Sequence, residues 1–227
     1  MSGTTGKARL VVLISGRGSN LQAILDAALR GELPVAIGAV ISNRPNAYGL
    51  ERARQAGVEA VTLDHKGFAN RHDFETALRE LIDSYAPDLV VLAGFMRIFN
   101  PDFIAHYQGR LLNIHPSLLP KFRGLHTHER AIAAGERIHG ASVHFVTPEL
   151  DSGPVIVQSQ VPVLAGDTPD TLAARVLAQE HRIYPLAIGW FAEGRVRLQG
   201  DQILFDGQPL TTPQVFATAK GPLSHAY

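Results

Sequence analysis

Short apolar runs alternate along this chain with segments of helical periodicity, and this alternation constrains the fold more than any other feature. Residues 10–14 are apolar at both parities, which is typical of a strand buried on both faces. Residues 20–30 follow with apolar side chains at helical spacing, and Gly31 suits the end of that helix. Repeated along the chain, the pattern predicts an α/β fold with a Rossmann-like, mostly parallel sheet and helices on both faces.

The remaining elements follow from the same pattern. Further strands are predicted at residues 35–42, 59–63, 89–92, 111–114, 142–146 and 155–161. Further helices are predicted at residues 48–56, 73–85 and 171–190, and a hairpin around Gly200 and Asp201. The last dozen or so residues are polar and contain proline, so we expect them to be loosely ordered. Ligands of such a fold bind beyond the carboxyl ends of the strands, near the point where the strand order reverses.

The composition excludes several classes of protein. Lys and Arg number 21 and Asp and Glu number 21, so the formal net charge is zero and we expect no nucleic-acid partner. The absence of cysteine excludes disulfides and thiolate metal sites. No apolar run reaches the roughly 18 residues that a membrane span needs, and the first residues lack a secretory signal. We therefore expect a cytoplasmic protein with no membrane partner, to which a small anion could still bind.

A glycine loop joins the first predicted strand to the first helix, with the sequence Ser-Gly-Arg-Gly-Ser-Asn at residues 15–20. Glycines allow a sharp bend there and let backbone N–H groups at the helix N-terminus bind an anion. The plain alternative is a tight turn with a Ser or Asn cap. A dinucleotide site is less favoured, because Leu21 stands where its fingerprint requires a third glycine and no acid follows the second strand. A single phosphate fits the loop better.

Asn113 and His115 lie two residues apart on a predicted strand, so their side chains share one face. An amide donor beside an imidazole can stabilise an oxyanion during acyl transfer. Taken alone, the pattern slightly favours a plainer role, in which both side chains bind loop backbone. Asp151 begins a predicted turn and is by itself a common turn residue. If that turn folds back toward His115, its carboxylate would favour the cationic imidazole.

His126 and His128, with His115 as a third candidate ligand, raise the question of a metal site. Two histidines at that spacing are more often loop or helix-start residues, so we expect no metal.

Residues 113–120, Asn-Ile-His-Pro-Ser-Leu-Leu-Pro, resemble the phosphoribosylglycinamide formyltransferases of purine synthesis, as does Gly-Leu-His-Thr-His at residues 124–128. The resemblance covers roughly residues 9–195 and continues at residues 11–22, 92–98, 142–146, 151–154 and 179–181. The first motif with a downstream Asp is characteristic of folate-dependent formyl transfer and its hydrolytic relatives. The glycine loop and residues 124–128 narrow the resemblance to the glycinamide ribonucleotide branch.

The resemblance implies direct formyl transfer from 10-formyltetrahydrofolate, as co-substrate and without metal, to the amine of 5-phosphoribosylglycinamide. The implied catalytic residues are Asn113, His115 and Asp151. The implied substrate residues are Gly18, Ser19 and Asn20 for the phosphate and Glu180 for the ribose or amine end. The implied folate residues are Arg71, Met96, Arg97, Ile98, Phe99 and Asn113.

The resemblance also implies a single formyltransferase domain over residues 1–227, with a phosphate-binding lobe at about residues 8–107 and a catalytic and folate lobe at about residues 108–210. Its partners would be small molecules, and an oligomer is possible. The nearest alternative is a 10-formyltetrahydrofolate hydrolase, which we expect to carry an extra N-terminal extension. A transfer-RNA formyltransferase would carry an added basic domain, and a non-catalytic phosphate-binding module would not need Asn113, His115 and Asp151 together.

Overall fold

The computed structural model describes residues 6–216, and every structural statement below concerns this range. The expected loose order of the final residues lies outside it from residue 217 onward. The described strands are β1 Ala8–Ile14, β2 Val35–Ser42, β3 Ala60–Thr62, β4 Leu89–Leu92, β5 Leu111–His115, β6 Ile138–Phe145, β7 Val155–Pro162, β8 Val196–Gln199, β9 Gln202–Phe205, β10 Gln208–Pro209 and β11 Gln214–Phe216. The described α-helices are α1 Ser19–Leu29, α2 Tyr48–Gln55, α3 Arg71–Ser84, α4 Pro101–His106, α5 Thr127–Ala133 and α6 Pro169–Ala192.

Eight strands form one continuous sheet in the order β11-β7-β6-β5-β4-β1-β2-β3. Its β1 to β5 portion is parallel, whereas β6 runs antiparallel to both β5 and β7. The strand order reverses at β1, which lies between β2 and β4. The mostly parallel sheet predicted from the sequence is therefore confirmed, and β8, β9 and β10 form a separate small antiparallel sheet.

Two apolar layers cover the two faces of the large sheet, as the double parity of β1 predicted. Leu10, Val12 and Ile14 pack in a cluster that contains the buried residues of α1, α2 and α6. Val11 and Leu13 pack in a second cluster with the buried residues of α3 and α4. Helices on both faces therefore cover the parallel strands.

The predicted elements match the structure closely at β2 and β4, whose bounds agree to the residue. The helix predicted at residues 73–85 begins earlier, at Arg71, because the Asn70 side chain accepts a hydrogen bond from the Asp73 backbone and caps the first turn. The strand predicted to start at residue 142 begins at Ile138. The extension was not predicted because Gly140 interrupts its apolar pattern. Glycine is required at this position, since a Cβ there would lie 1.9 Å from the Ser159 carbonyl oxygen.

Helices α4 and α5 and strands β10 and β11 were not predicted. α4 has six residues and α5 seven, too few to show helical periodicity, and both strands have at most three residues. Within the described range no helix is long and apolar enough to cross a membrane.

Candidate active site

Three neighbouring strands bring the candidate residues to one edge of the sheet. Leu13 of β1 pairs with Leu92 of β4, and Leu92 pairs with Asn113 of β5. Adjacent strands lie about 4.8 Å apart, so Asn113 lies roughly 10 Å from the column of β1. The glycine loop, the loop after β4 and the end of β5 therefore open onto the same crevice, beside the point where the strand order reverses.

The glycine loop ends in an open helix N-terminus. Gly18 adopts a left-handed conformation with φ of 71° and precedes the first turn of α1, where no side chain caps the backbone N–H groups. A Cβ on Gly18 would lie 2.8 Å from the Cα of Gly49 at the start of α2. The Gly49 N–H also donates to the Gly16 carbonyl at 3.0 Å. The loop is therefore fixed by direct backbone contact with α2, while the first amides of α1 remain uncapped.

Glu180 of α6 contacts the glycine loop, although it lies 160 residues after Asn20 in the sequence. The Asn20 amide donates to the Glu180 carboxylate, with 2.7 Å between Nδ2 and Oε2. Burial raises the pKa of Glu180, although this hydrogen bond opposes the shift. The Asn20 Oδ1 atom is buried and has no hydrogen-bond partner among the described residues. Two polar groups that are costly to bury thus lie beside the uncapped helix end.

Asn113 faces a histidine that the sequence reasoning gave no role. Its Nδ2 atom lies 3.2 Å from Nε2 of His144, the residue paired with it across β6. His144 Nδ1 lies 2.9 Å from the Phe145 carbonyl oxygen, which can only accept a hydrogen bond. Burial lowers the pKa of His144 to about 4, so the ring is neutral near pH 7 and Nε2 accepts from Asn113. His144 thus fixes the orientation of the Asn113 amide.

His115 is buried, and both of its ring nitrogens face oxygen atoms. Nε2 donates to the Phe122 carbonyl at 2.9 Å. Nδ1 lies 3.4 Å from Asp151 Oδ2, with both side chains less than a tenth exposed. The predicted turn at Asp151 does therefore fold back onto His115.

The loop between β6 and β7 holds Asp151 by its two ends. The Phe145 N–H donates to the Pro154 carbonyl at 3.0 Å, and Gly153 packs so closely that a Cβ there would lie 1.8 Å from the Phe145 carbonyl oxygen. Asp151 itself adopts φ of 48°, a left-handed conformation that Asp tolerates better than most residues. Its Oδ2 atom also accepts from the Gly124 N–H at 2.9 Å, which ties this loop to the segment after β5.

The loop after β4, residues 93–100, carries an apolar platform formed by Met96 and Ile98 beside β5. Met96 and Ile98 are exposed, at 66% and 58% of their surface, whereas Phe99 is buried. The Phe99 ring stacks between Phe95 and Phe103, at centroid distances of 5.2 and 4.0 Å. Among the predicted folate residues, Phe99 therefore lies beneath the platform and does not present its ring to the crevice.

Two predicted folate residues carry positive charge next to the platform. The Arg97 guanidinium lies 5.2 Å from the centre of the Phe74 ring. Arg71, the first residue of α3, donates through Nε to the buried Glu75 at 2.7 Å. Glu75 in turn accepts from the Asn100 N–H at 3.1 Å, so Arg71 is anchored to the end of the platform loop.

The histidines at residues 126 and 128, considered as metal ligands, contact other groups. His126 is exposed and lies 3.3 Å from Glu129, whereas His128 packs edge-on against His139 with ring centres 5.2 Å apart. Across residues 6–216, no group of three His, Asp or Glu side chains is arranged to hold a metal ion.

His144 is the polar residue of this site that the sequence reasoning missed. The sequence did contain an indication of this role, since His144 is a polar residue between the apolar residues Val143 and Phe145 in a predicted strand. Without the pairing of β5 with β6, nothing linked it to Asn113.

The chain is similar in sequence and in structure to proteins of known function. The model of the family described as formyl transferase matches residues 8–188. A phosphoribosylglycinamide formyltransferase from Escherichia coli (strain K12) is 57% identical over 208 residues, which cover 92% of this chain and 98% of that protein. The solved structure of a phosphoribosylglycinamide formyltransferase from Coxiella burnetii superposes with a TM-score of 0.90 at 52% identity, covering 93% of this chain and 100% of the other.

A formyltetrahydrofolate deformylase from Burkholderia mallei is a more distant match. It shares 29% identity at a TM-score of 0.80, covering 88% of this chain and 70% of that one. The deformylase thus shares the fold, but its sequence identity to this chain is much lower than that of the two transferases.

Proposed function

The chain belongs to the formyl transferase family, and from this premise we propose that it transfers a formyl group from 10-formyltetrahydrofolate to the amine of 5-phosphoribosylglycinamide. As an enzyme it is a one-carbon group transferase of purine biosynthesis. The observation that carries the proposed mechanism is the meeting of Asn113, His115 and Asp151 at the sheet edge that also bears the glycine loop.

The ribonucleotide phosphate binds to the glycine loop at Gly18, Ser19 and Asn20. The uncapped amides of α1 support this assignment, because the N-terminus of a helix favours an anion. Glu180 lies beside the same amides and offers an acceptor to the ribose or amine end of the substrate. A substrate hydroxyl or amine gives the buried Glu180 carboxylate a hydrogen-bond partner in addition to Asn20, which offsets part of the cost of burying it.

The folate lies on the platform after β4. The exposed Met96 and Ile98 side chains offer an apolar surface for a flat ring system, and Phe99 supports them from below. Arg71 and Arg97 offer cations for the carboxylates of the co-substrate, and Asn113 borders the same crevice. The platform therefore matches a ligand that is flat and apolar at one end and anionic at the other.

Asn113 and His115 stabilise the oxyanion that develops on the formyl oxygen. His144 accepts one amide hydrogen of Asn113, which leaves the second available for the oxyanion. The carboxylate of Asp151 and the carbonyl of Phe122 both face ring nitrogens of His115, so positive charge that develops on the ring in the transition state lies beside a carboxylate. Binding must release Nε2 from Phe122 before that nitrogen can serve the oxyanion.

The co-substrate supplies the formyl carbon, whose bond to the folate nitrogen is exchanged for a bond to the substrate amine. One proton passes from that amine to the departing nitrogen, so the charges balance without a covalent enzyme intermediate. Asp151 and His115 lie where they can relay this proton.

We further propose that the chain forms a single domain over residues 1–227. One continuous sheet joins the lobe at residues 8–107 to the lobe at residues 108–210, and the hydrogen bond between Asn20 and Glu180 crosses between them. We also propose that the enzyme works in the cytoplasm, because its co-substrate is a dissolved reduced folate; cell fractionation tests this.

The proposed reaction is tested by incubating the chain with 10-formyltetrahydrofolate, with and without the ribonucleotide, and following the release of tetrahydrofolate. Release should require the ribonucleotide. It should fall steeply in Asn113→Ala and remain normal in Asn46→Ala, which changes an exposed asparagine elsewhere. Equal release without the ribonucleotide would identify a hydrolase instead.

A further inference from the structure

Ser15 joins the glycine loop to the folate platform through three hydrogen bonds. Its N–H donates to the Gly94 carbonyl at 3.1 Å. Its hydroxyl accepts from the Met96 N–H at 2.8 Å and donates to Asn43 Oδ1 at 2.6 Å. The residue is 3% exposed, and the next residue in the chain is the first glycine of the loop. One buried hydroxyl is thus shared by the ends of β1, β2 and β4.

The contacts continue from Asn43 around the platform. Its carbonyl accepts from His65 Nδ1 at 2.8 Å. The His65 ring meets the Phe74 ring edge-on at 6.2 Å, and Phe74 is the ring over which Arg97 lies. The platform residues Met96 and Arg97 are therefore both linked to the same side of the crevice, one through Ser15 and the other through Asn43.

We propose that Ser15 is a positioning residue that couples the two substrate sites, so that an anion on the glycine loop orders the platform at Met96. This inference rests on the proposed function, which places the ribonucleotide on the loop and the folate on the platform. Ser15 itself touches neither substrate. It acts through the Met96 backbone, whose direction decides how the exposed Met96 side chain is presented.

The chemistry of the hydroxyl explains why serine is needed here. A hydroxyl can accept from Met96 and donate to Asn43 at the same time, which an alanine or a lysine ammonium group cannot do. Its loss would leave the partly buried Met96 N–H and the buried Asn43 amide oxygen without this partner. An anion that draws the amides of residues 18–20 toward itself also pulls on Gly16 and Ser15, and the two bonds from Ser15 carry that displacement to Gly94 and Met96.

The test compares wild type with Ser15→Ala and with the matched control Ser42→Ala. Ser42 is equally buried at the end of β2, but its hydroxyl bonds only to the backbone of Arg44 within its own turn. Hydrogen exchange of the Met96 amide is followed by NMR with and without inorganic phosphate, which stands in for the substrate phosphate, and Arg97→Ala is included to exclude direct binding of phosphate beside Met96. In wild type and Ser42→Ala, phosphate should slow this exchange. In Ser15→Ala the amide should exchange about tenfold faster and no longer respond to phosphate.

The KM values provide a second readout that a purely structural role would not reproduce. Ser15→Ala should raise the KM for 10-formyltetrahydrofolate several-fold at nearly unchanged kcat, and Ser15→Thr, which keeps the hydroxyl, should restore it. Should the alanine variant fail to fold, Ser15→Cys replaces it, and the response to phosphate should be weakened because a thiol is a weak donor and a weak acceptor. An unchanged response to phosphate in a folded variant, or no response in wild type, overturns the coupling. Failure of wild type to release tetrahydrofolate would instead refute the proposed function and leave the amide measurement interpretable.

Discussion

Replacing Asp151 by Asn removes one negative charge from the site and keeps its shape. Asn tolerates the left-handed φ of 48° found at this position, so the loop between β6 and β7 should keep its path. The amide can also still accept the hydrogen bond from Gly124. The variant therefore tests the charge of Asp151 with little disturbance of the fold.

The size of the effect follows from the separation of the two charges. Asp151 Oδ2 lies 3.4 Å from His115 Nδ1, which at an effective dielectric constant of ~20 corresponds to about 5 kcal/mol of attraction. The amide oxygen and local rearrangement recover part of this. A net loss of half, about 2.5 kcal/mol, weakens the stabilisation of positive charge that develops on His115 in the transition state and corresponds to a rate roughly 70-fold lower, since 1.36 kcal/mol is a factor of ten. We expect kcat at neutral pH to fall by a similar factor.

The assay is a profile of kcat against pH for both proteins. Activity should rise with pH as the substrate amine loses its proton, because only the neutral amine attacks. In Asp151→Asn kcat should be lower across this profile, while the rising limb should stay in place.

Glu149→Gln is the matched control for this change. Glu149 lies in the same loop, but its carboxylate binds Arg123 and Ser152 and does not approach His115. Its kcat should stay within about threefold of wild type, because an exposed ion pair contributes little. If kcat of Asp151→Asn lies within about threefold of wild type, then Asp151 is a turn residue and the charge argument is wrong.

Four further predictions follow from the site. Asn113→Ala should lower kcat by about 10²–10³, the usual effect of losing an oxyanion donor, and a value within about threefold of wild type would contradict that role. Burial raises the pKa of Glu180 above its value of 4.5 in the unfolded chain, so ionising Glu180 lowers the stability of the native state as pH rises. Glu180→Gln should therefore have a higher melting temperature than wild type at pH 7 and the same melting temperature at pH 3. A difference in melting temperature that does not depend on pH would refute this. Gly18→Ala should lower the free energy of unfolding by more than about 1–2 kcal/mol in urea titration, since it adds left-handed strain and a contact with Gly49; unchanged stability would mean that the loop can move away. Exhaustive chelation should leave activity unchanged, and activity that is lost and then restored by zinc would overturn direct transfer.

The fold could be predicted from the sequence wherever burial left a regular pattern. The parallel strands β1, β2 and β4 are apolar on both faces, so continuous apolar runs marked them. The direction of β6 could not be obtained this way, because strand polarity depends on pairing and not on periodicity. α4 was hidden by its length, although Asn100 caps it and Pro101 begins it.

The site could be predicted only in part, because hydrophobic periodicity and sequence motifs describe single strands or helices and not the contacts between them. The shared face of Asn113 and His115 follows from the alternation of one strand. The contact of Asp151 with His115 depends on the path of a separate loop, and that of Asn113 with His144 depends on a strand pair. Ser15 gave no signal, since a serine at the end of a strand is ordinary until its three partners are known.

Because the loop between Phe145 and Pro154 is held at both ends, its length determines how far the Asp151 carboxylate reaches toward His115. The close fit of Gly153 against Phe145 sets where β7 starts, so an added or deleted residue within the loop cannot be absorbed by sliding the strand. Such a change would alter the reach of the carboxylate at Asp151 while the sheet stays intact. The length of this loop therefore decides whether a carboxylate reaches His115, while the pairing of β6 with β7 does not depend on it.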